Sequence, residues 1–595
     1  MKATWLELKV GEIEAINDDP RSAWQSIKEI NAGFSGHHEK AVIIKMRKKD
    51  GTFAKNETEN AKVLFNHFHG VVNRKELSAY DPTVLQEIDP HPINTALDAP
   101  PTSSEIKAAL RKMQYEKSPG KNGIPTEAFK NLKRGPLSAF KKLIELFWQN
   151  DQFNPVDWQQ IKLSILPKKG DLADPNKWRG IALGDIAAKC ISSIIANRLT
   201  KYLSDFGIDE QCGSLFGKGC ADATFTLKTA LQTLREHNHE AHVLFVDLVK
   251  AYDTVNRELL WKVLERFGVP PQMIKVLQKL YTNVTYHMKV AGKKKSFEST
   301  CGVKQGDNLG PILFIFMIQA VSTTLDKKWD FETPDLRWHG MKADGSHKWN
   351  PNLGKGTNTD TEGTPFSFWK SYYVDDAAFL FLNRENIERA SKLITKHFKC
   401  FGLTVHSGDK RSNESSKTEA MHIPRPNQQS TVDDTKDIMV DDERFFGYCT
   451  EFKYLGTTFT PGLNDSNDVQ LRIDQASKAF YAMNKNIFRR KEISSELRLR
   501  TYNAIIVNLL LWGCESWALK EEDRRRIEVF HHRSLRRMLN ITIYDVMEQH
   551  ITNKEVRARM KSYSIEQTME LRRAQWLEKI SHMGSDRGPR KILVA

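Results

Sequence analysis

Hydrophobic and polar positions change rhythm several times along the chain, and each change predicts a different kind of element. From Ser103 the segment SSEIKAALRKM repeats its apolar residues at helical spacing behind a serine cap. The loop EKSPGKNGIPTE is too rich in Pro and Gly for regular structure, and helical spacing resumes in AFKNL and LSAFKKLIELFWQN. IKLSILP, ending at Pro167, has strand character, and a Gly/Asp/Pro-punctuated turn carrying Lys168, Lys169, Lys177 and Arg179 follows it. AHVLFVDLV is a continuous apolar run interrupted by one acid, as in a buried strand. FWKSYYVDDAAFLFL predicts two strands with two aspartates where they meet, while Asp326 to Lys370 is polar and rich in Gly, Asn and Thr, the pattern of an insertion or long loop.

Beyond Thr460 the pattern is helical. Ile473, Ala476, Phe480, Met483 and Ile487 recur at steps of three and four, and SSELRLRTYNAIIVNLLLWG and EEDRRRIEVFHHRSLRRMLN predict further helices, the latter with Arg526, Arg533 and Arg537 on one face. The first hundred residues mix helical pieces (WQSIKEI, NAKVLFNHFHGVV) with a short strand and turn (AVIIKMRKKDGTF), and they end in DPHPINTALDAPPTSSE, which reads as a linker. The boundaries that follow are 1–102, 103–240, 241–460 with an insertion at about 326–370, and 461–595.

Composition narrows the class only a little. A chain of 595 residues that is 40% apolar can bury several domain-sized cores. Lys and Arg number 89 against 74 Asp and Glu, and 23 of the basic but only 14 of the acidic residues lie from Tyr481 onward, so the excess is concentrated at the C-terminal end. Seven scattered cysteines without a Cys-x-x-Cys suggest neither a disulfide framework nor a zinc ribbon, and His531 and His532 lack the cysteine partners of a zinc knuckle. The longest apolar runs, Pro311 to Ile318 and Ile505 to Trp512, fall short of a membrane span, and the expectation is a soluble intracellular protein.

The chemistry lies in the aspartates. Asp375 and Asp376, flanked by apolar strands with no Lys or Arg close in the Tyr-Val-Asp-Asp run, repel each other and lose hydration, so keeping both ionised calls for a bound cation. A hairpin turn carrying two solvated aspartates is the simpler alternative. Asp247, however, also ends an apolar run, and three carboxylates on neighbouring strands could hold two Mg²⁺ ions about 4 Å apart, the spacing used for in-line phosphoryl transfer.

At this point a family becomes recognisable. FVDLVKAYDTV, GVKQGDNLGPILF and YYVDD, in that order, resemble motifs A, B and C of reverse transcriptases, most closely those of non-LTR (LINE-like) retrotransposons. EKSPGKNGIPTEAFK and WQQIKLSILPKKGDLADPNKWRGIAL resemble the fingers motifs, and DEQCGSLFGKGCADATFTL the next family block. GLTV with SKTEAM is similar to motif D, FKYLGTTFT to the motif E primer grip, and LLLWGCESWAL, FHHRSLRRMLNI and LRRAQWLEKISHMGSDRGPRKIL to blocks downstream of the polymerase.

The resemblance implies an α+β right-hand polymerase with fingers, a ferredoxin-like palm, a helical thumb and a basic helical C-terminal region. It implies an RNA-directed DNA polymerase that uses two Mg²⁺ ions, or Mn²⁺ in their place, with an RNA template, a DNA primer or target and dNTPs. Asp247, Asp375 and Asp376 match the metal-binding catalytic carboxylates, and Lys417 the motif D general acid. Lys168, Lys169 and Arg179 match the residues that clamp the triphosphate. Tyr252 matches the aromatic gate that excludes a 2′-hydroxyl, where an RNA polymerase would carry a smaller polar residue. Gln305 and Gly306 match the motif B residues at the incoming nucleotide, although GDNLGP departs from the family's usual serine-containing sequence. Tyr454, Leu455 and Gly456 are expected to grip the primer, and Arg526, Arg533 and Arg537 a nucleic-acid backbone.

Full-length relatives commonly carry an endonuclease. The expectation here is a polymerase portion without one, relying on a separate nuclease or a host nick, and acting in the nucleus or cytoplasm as a ribonucleoprotein. A group II intron-type reverse transcriptase with a maturase role and a degenerate RNA-binding relic are the alternatives.

Overall fold

The computed structural model describes residues 44–73, 79–333, 335–336, 366–585 and 587–594, together with Glu29. Most of WQSIKEI and most of the 326–370 insertion lie outside the described residues.

Asn56, whose side chain accepts the Glu59 amide, starts helix α1 (Glu57–Val71), which lays Leu64, Phe65 and Phe68 on the first sheet. IKLSILP forms β1 (Gln160–Pro167), antiparallel to β2 (Trp178–Leu183). Helices α2 (Ile186–Leu203) and α3 (Cys220–Glu236) follow, and then AHVLFV forms β3 (Ala241–Val246), buried at every position. The chain returns to the first sheet with β4 (Thr285–Val290), parallel to β1, and β5 (Lys293–Glu298), giving the order β2-β1-β4-β5.

The central sheet has seven strands. Strands β6 (Lys370–Tyr373) and β7 (Asp376–Phe381) form a hairpin, and β7 pairs antiparallel with β3. On its other side β3 pairs antiparallel with β8 (Glu419–Ile423), which lies parallel to β9 (Arg444–Tyr448). Alternation along β3 splits two cores: Leu244 and Val246 face the core built around helix α4 (Leu309–Asp326), while Val243 and Phe245 face α3. Burying each such side chain stabilises the fold by roughly 1.5–3 kcal/mol. Helix α4 is long and apolar enough to cross a membrane by composition, against the short runs counted in the sequence, and its burial makes it the core helix of this unit.

Strands β10 (Phe452–Tyr454) and β11 (Thr457–Phe459) make a small separate hairpin. The helical period beyond Thr460 appears as α5 (Ser466–Met483) and α6 (Glu521–Met538), which share a core with Tyr502, Ile506 and Val556. The short α7 (Gly588–Val594) returns to α3, with Ile592 fully buried there.

Two local expectations change. The cap of the Ser103–Lys112 helix is Thr102, in a reciprocal capping box with Glu105, because its hydroxyl reaches the Glu105 amide at 3.2 Å. The proline-rich stretch is a strap rather than a free linker: Leu97 is buried, His91 and Asn94 donate their amides to the Arg266 and Gly268 carbonyls, and Arg198 holds the Ala99 carbonyl at 2.6 Å. The positive φ of Gly268 (+74°) and the nearness of the Pro92 carbonyl leave no space there for a side chain.

Candidate active site

The register of the central sheet brings the three aspartates to one edge. Val246 of β3 pairs with Ala377 of β7, so Asp247 leaves β3 beside the start of β7 at Asp376. Tyr373 pairs with Asp376, which leaves Val374 and Asp375 as a two-residue turn. Val374 adopts φ +61°, a left-handed conformation rare for a β-branched residue. The charges feel one another. Asp376 is reached by solvent, yet loss of hydration in the cleft, reinforced by Asp375 and Asp247, pushes its carboxyl up to about 7. Asp375 is raised by burial and by Asp247, while Arg179 opposes the shift.

Such uncompensated negative charge suits a cation. Among the described residues no three Asp, Glu, His or Cys side chains are gathered tightly enough to cage an ion on their own.

Basic groups surround the acids. Lys417, just ahead of β8, places Nζ 4.0 Å from Asp247 Oδ2. Lys168 follows β1, where its amide donates to the Lys177 carbonyl at 2.7 Å, and Arg179 pairs with Leu166 across the same ribbon. Burial, then Arg179 and Lys417, lower the Lys168 ammonium, and Asp253 opposes them. Lys169 is solvent-exposed in the adjoining turn.

Tyr252 stacks on Phe314 of α4, with ring centroids 5.2 Å apart. Burial raises its hydroxyl, and Asp375 and Asp376 add to that shift. The Gln305 carbonyl accepts the Ala182 amide of β2 at 2.7 Å, and Gly306, at φ +102°, lies so close to Ile181 that a Cβ would meet it at 2.7 Å. Motif B therefore rests directly on the basic ribbon. Beneath it Lys304 is buried, its ammonium donating to the Leu280 carbonyl at 2.7 Å and lowered to about 8 by burial.

Three assignments from the sequence change in kind. Tyr454 is buried against Phe245 and Phe459, whereas Lys453 of β10 is exposed and the turn at Leu455 (φ +48°) and Gly456 (φ +91°) is half-buried. Arg526, partly exposed, pairs with Asp523 at 3.0 Å and binds Gln470. Arg537 lies over the Tyr481 ring at 4.7 Å, and Arg533 is exposed. Much of the C-terminal positive charge is likewise used internally: Arg573 binds the Trp517 carbonyl at 2.6 Å, Arg572 binds Asn508, and Arg587 binds the fully buried Asp222 at 2.7 Å.

The sequence reading assigned no role to Gln211, Gly213, Asp222 or Gly310. Gln211 and Gly213 lie in a stretch without hydrophobic period whose only signal is the DEQCGSLFGKGC block, whereas Asp222 is a buried acid in the first turn of α3 and Gly310 lies in the apolar α4.

An acidic sheet edge fed by one strand and one hairpin, and bordered by a basic ribbon, defines a site of the polymerase type. Residues 166–459 match the family described as reverse transcriptase (RNA-dependent DNA polymerase). It is 28% identical over 247 residues to the transposon TX1 uncharacterized 149 kDa protein of Xenopus laevis, an alignment covering 40% of this chain and 19% of that one. It is 24% identical to the retrovirus-related Pol polyprotein from type-2 retrotransposable element R2DM of Drosophila melanogaster, over 38% of this chain and 20% of the relative. The RNA-directed DNA polymerase from mobile element jockey, also of Drosophila melanogaster, is 22% identical over 73% of this chain and 44% of its own length. The chain thus aligns with between a fifth and less than half of the length of these relatives.

Proposed function

We propose that the protein is an RNA-directed DNA polymerase of a non-LTR retrotransposon, extending a DNA primer on an RNA template. The observation that carries this reading is the meeting of Asp247, Asp375 and Asp376 at one sheet edge with Lys417 4.0 Å from Asp247. In this reading the central sheet is the palm, the β1–β2–β4–β5 sheet belongs to the fingers, and the helices from Ser466 form the thumb.

Asp247, Asp375 and Asp376 would hold two Mg²⁺ ions, which when bound lower the cost of developing charge on the attacking and leaving oxygens. Lys168, Lys169 and Arg179 bind the triphosphate oxygens, and Tyr252 fills the space below the sugar. Gln305 and Gly306 border the nascent base pair. The primer 3′-hydroxyl loses its proton to solvent as its oxygen bonds to the α-phosphorus and the bond to pyrophosphate breaks, and Lys417 delivers a proton to the departing pyrophosphate. The Leu455–Gly456 turn and Arg533 contact the primer–template duplex. A nick in DNA supplies the primer end, and the protein works as a ribonucleoprotein inside the cell.

The test is primer extension on poly(rA)/oligo(dT) with purified protein, dTTP and Mg²⁺, set beside Asp375→Asn. Extension by the unaltered chain and none by the variant is the expected result. Absence of extension by the unaltered chain removes the polymerase reading, and equal extension by both removes the aspartate assignment.

A further inference from the structure

The turn that carries Asp375 is strained at Val374, and something must hold it. A β-branched residue at φ +61° is strained and persists only where its surroundings over-determine it. Those surroundings are the segment Ile208–Gly213. Gln211, 1% exposed, accepts the Val374 amide with Oε1 at 2.9 Å and the Gly213 amide with the same atom at 2.8 Å. Gly213 lies directly under the turn, where a Cβ would stand 2.8 Å from the Val374 nitrogen and 2.5 Å from Val374 Cγ2.

The segment is itself fixed at both ends. Tyr372 of β6 donates its amide to the Glu210 carbonyl at 2.9 Å and accepts the Cys212 amide at 2.8 Å, so Gln211 is locked in register with the hairpin. Upstream, the Ile208 amide donates to Gln319 of α4 at 2.9 Å, and the Lys218 ammonium donates to the Asp209 carbonyl at 3.1 Å. A side chain fixed this firmly dictates where the turn goes.

We propose that Gln211 is a positioning residue for the Asp375–Asp376 turn, with Gly213 as the floor that lets it approach. It touches no reacting atom. Its two accepted hydrogen bonds hold Val374 left-handed, and that conformation aims both carboxylates at the edge where Asp247 ends. The proposal rests on the reading of Asp375 and Asp376 as the metal-holding carboxylates. Misplacing a reacting group by about 1 Å costs on the order of a hundredfold in rate, so loss of the clamp should fall on turnover rather than on binding.

The test uses the full chain and compares Gln211→Met, similar in volume but unable to accept these bonds in the same way, with Asp376→Asn in primer extension. Expected for Gln211→Met is a kcat lower by about tenfold to a hundredfold, with the KM for dTTP and the Kd for primer–template unchanged. Adding Val374→Gly should restore a large part of that loss, because glycine adopts φ +61° without strain. A purely structural role would not give this split or this rescue. Full activity in Gln211→Met, or no recovery on adding Val374→Gly, overturns the proposal. If Gln211→Met does not fold, Gly213→Ala serves instead: the same kcat loss with intact primer–template binding supports the clamp, and unaltered kcat overturns it. A loss in Asp376→Asn without one in Gln211→Met removes the clamp alone, whereas full extension by Asp376→Asn removes the functional reading and the clamp with it.

Discussion

Lys417 Nζ stands 4.0 Å from Asp247 Oδ2, across the edge where β3 and β8 run side by side. Both side chains remain open to solvent, so the pair adds little stability, and its value lies in where it holds the ammonium. As proton donor to pyrophosphate, Lys417 should affect turnover. Lys417→Gln is expected to lower kcat about a hundredfold while the KM for dNTP stays near that of the unaltered chain, and Lys417→Arg should retain more. Single-turnover extension measures this, and an unchanged rate in Lys417→Gln would remove the proton-donor role.

Tyr252 is held by its stack on Phe314 and lies against Gly310, so its ring has little room to move away from a bulkier sugar. Tyr252→Val should admit ribonucleotides, reducing the preference for dNTP over rNTP by roughly tenfold to a hundredfold. Extension with each nucleotide class in separate reactions gives the ratio of kcat/KM values.

Gly310 in α4 permits the Lys304 carbonyl to approach a point 2.5 Å from where a Cβ would be. Gly310→Ala should therefore destabilise by about 1–3 kcal/mol and disturb Gln305 next to it. Gly70 in α1 has nothing within 4 Å of its Cβ position, so Gly70→Ala should be neutral or slightly stabilising. Urea midpoints for the two variants should move in opposite directions or differ by more than the spread between repeats.

Asp222 is fully buried and balanced by the Gly219 amide at 2.9 Å, Arg587 at 2.7 Å and Lys579 at 3.5 Å. Removing Arg587 leaves a buried charge short of its nearest cation, a defect that costs about 3–5 kcal/mol. Arg587→Ala is expected to release α7 from α3, exposing Ile592, and limited proteolysis should then cut ahead of Gly588 sooner than in the unaltered chain. Identical cleavage kinetics would show that Ile592 alone suffices.

Two buried histidines should each cost the fold stability as the pH falls. Burial, helped by the stacked His422, lowers His242 to about 3, and burial lowers His531 to about 4. An unfolded histidine takes up its proton near pH 6.5, so the unfolded chain binds more protons below that pH and stability falls as pH drops. Each of these histidines costs about 1.4 kcal/mol per pH unit in that window. Between pH 7 and pH 5 the urea midpoint of His242→Gln should fall less, or rise more, than that of the unaltered chain, and parallel slopes would remove the histidine contribution.

Where hydrophobic period carries the information, the chain was legible. β3, β7 and the helices α5 and α6 lie where apolar spacing put them, because burial of Leu244, Phe245 or Phe480 is what stabilises those elements. The positions of Asp247, Asp375 and Asp376 at the ends of apolar runs were readable for the same reason. Gln211 was not, since its role arises from a contact 163 residues away in sequence and from an amide rather than a side chain. The burial of the Tyr454 ring was unreadable for a related reason, since its partner Phe245 comes from β3, far away in the chain. DPHPINTALDAPPTSSE looked like a linker because proline prevents helix and strand, but proline does not prevent packing.

Trp329 and Trp369 stack at 3.8 Å, and beside them Lys370 is buried against Asp326 and donates to Ser322 at 2.9 Å. These contacts tie the start of β6 to the end of α4, so the strand that leads into the Asp375 turn sets out from a fixed point on the core helix.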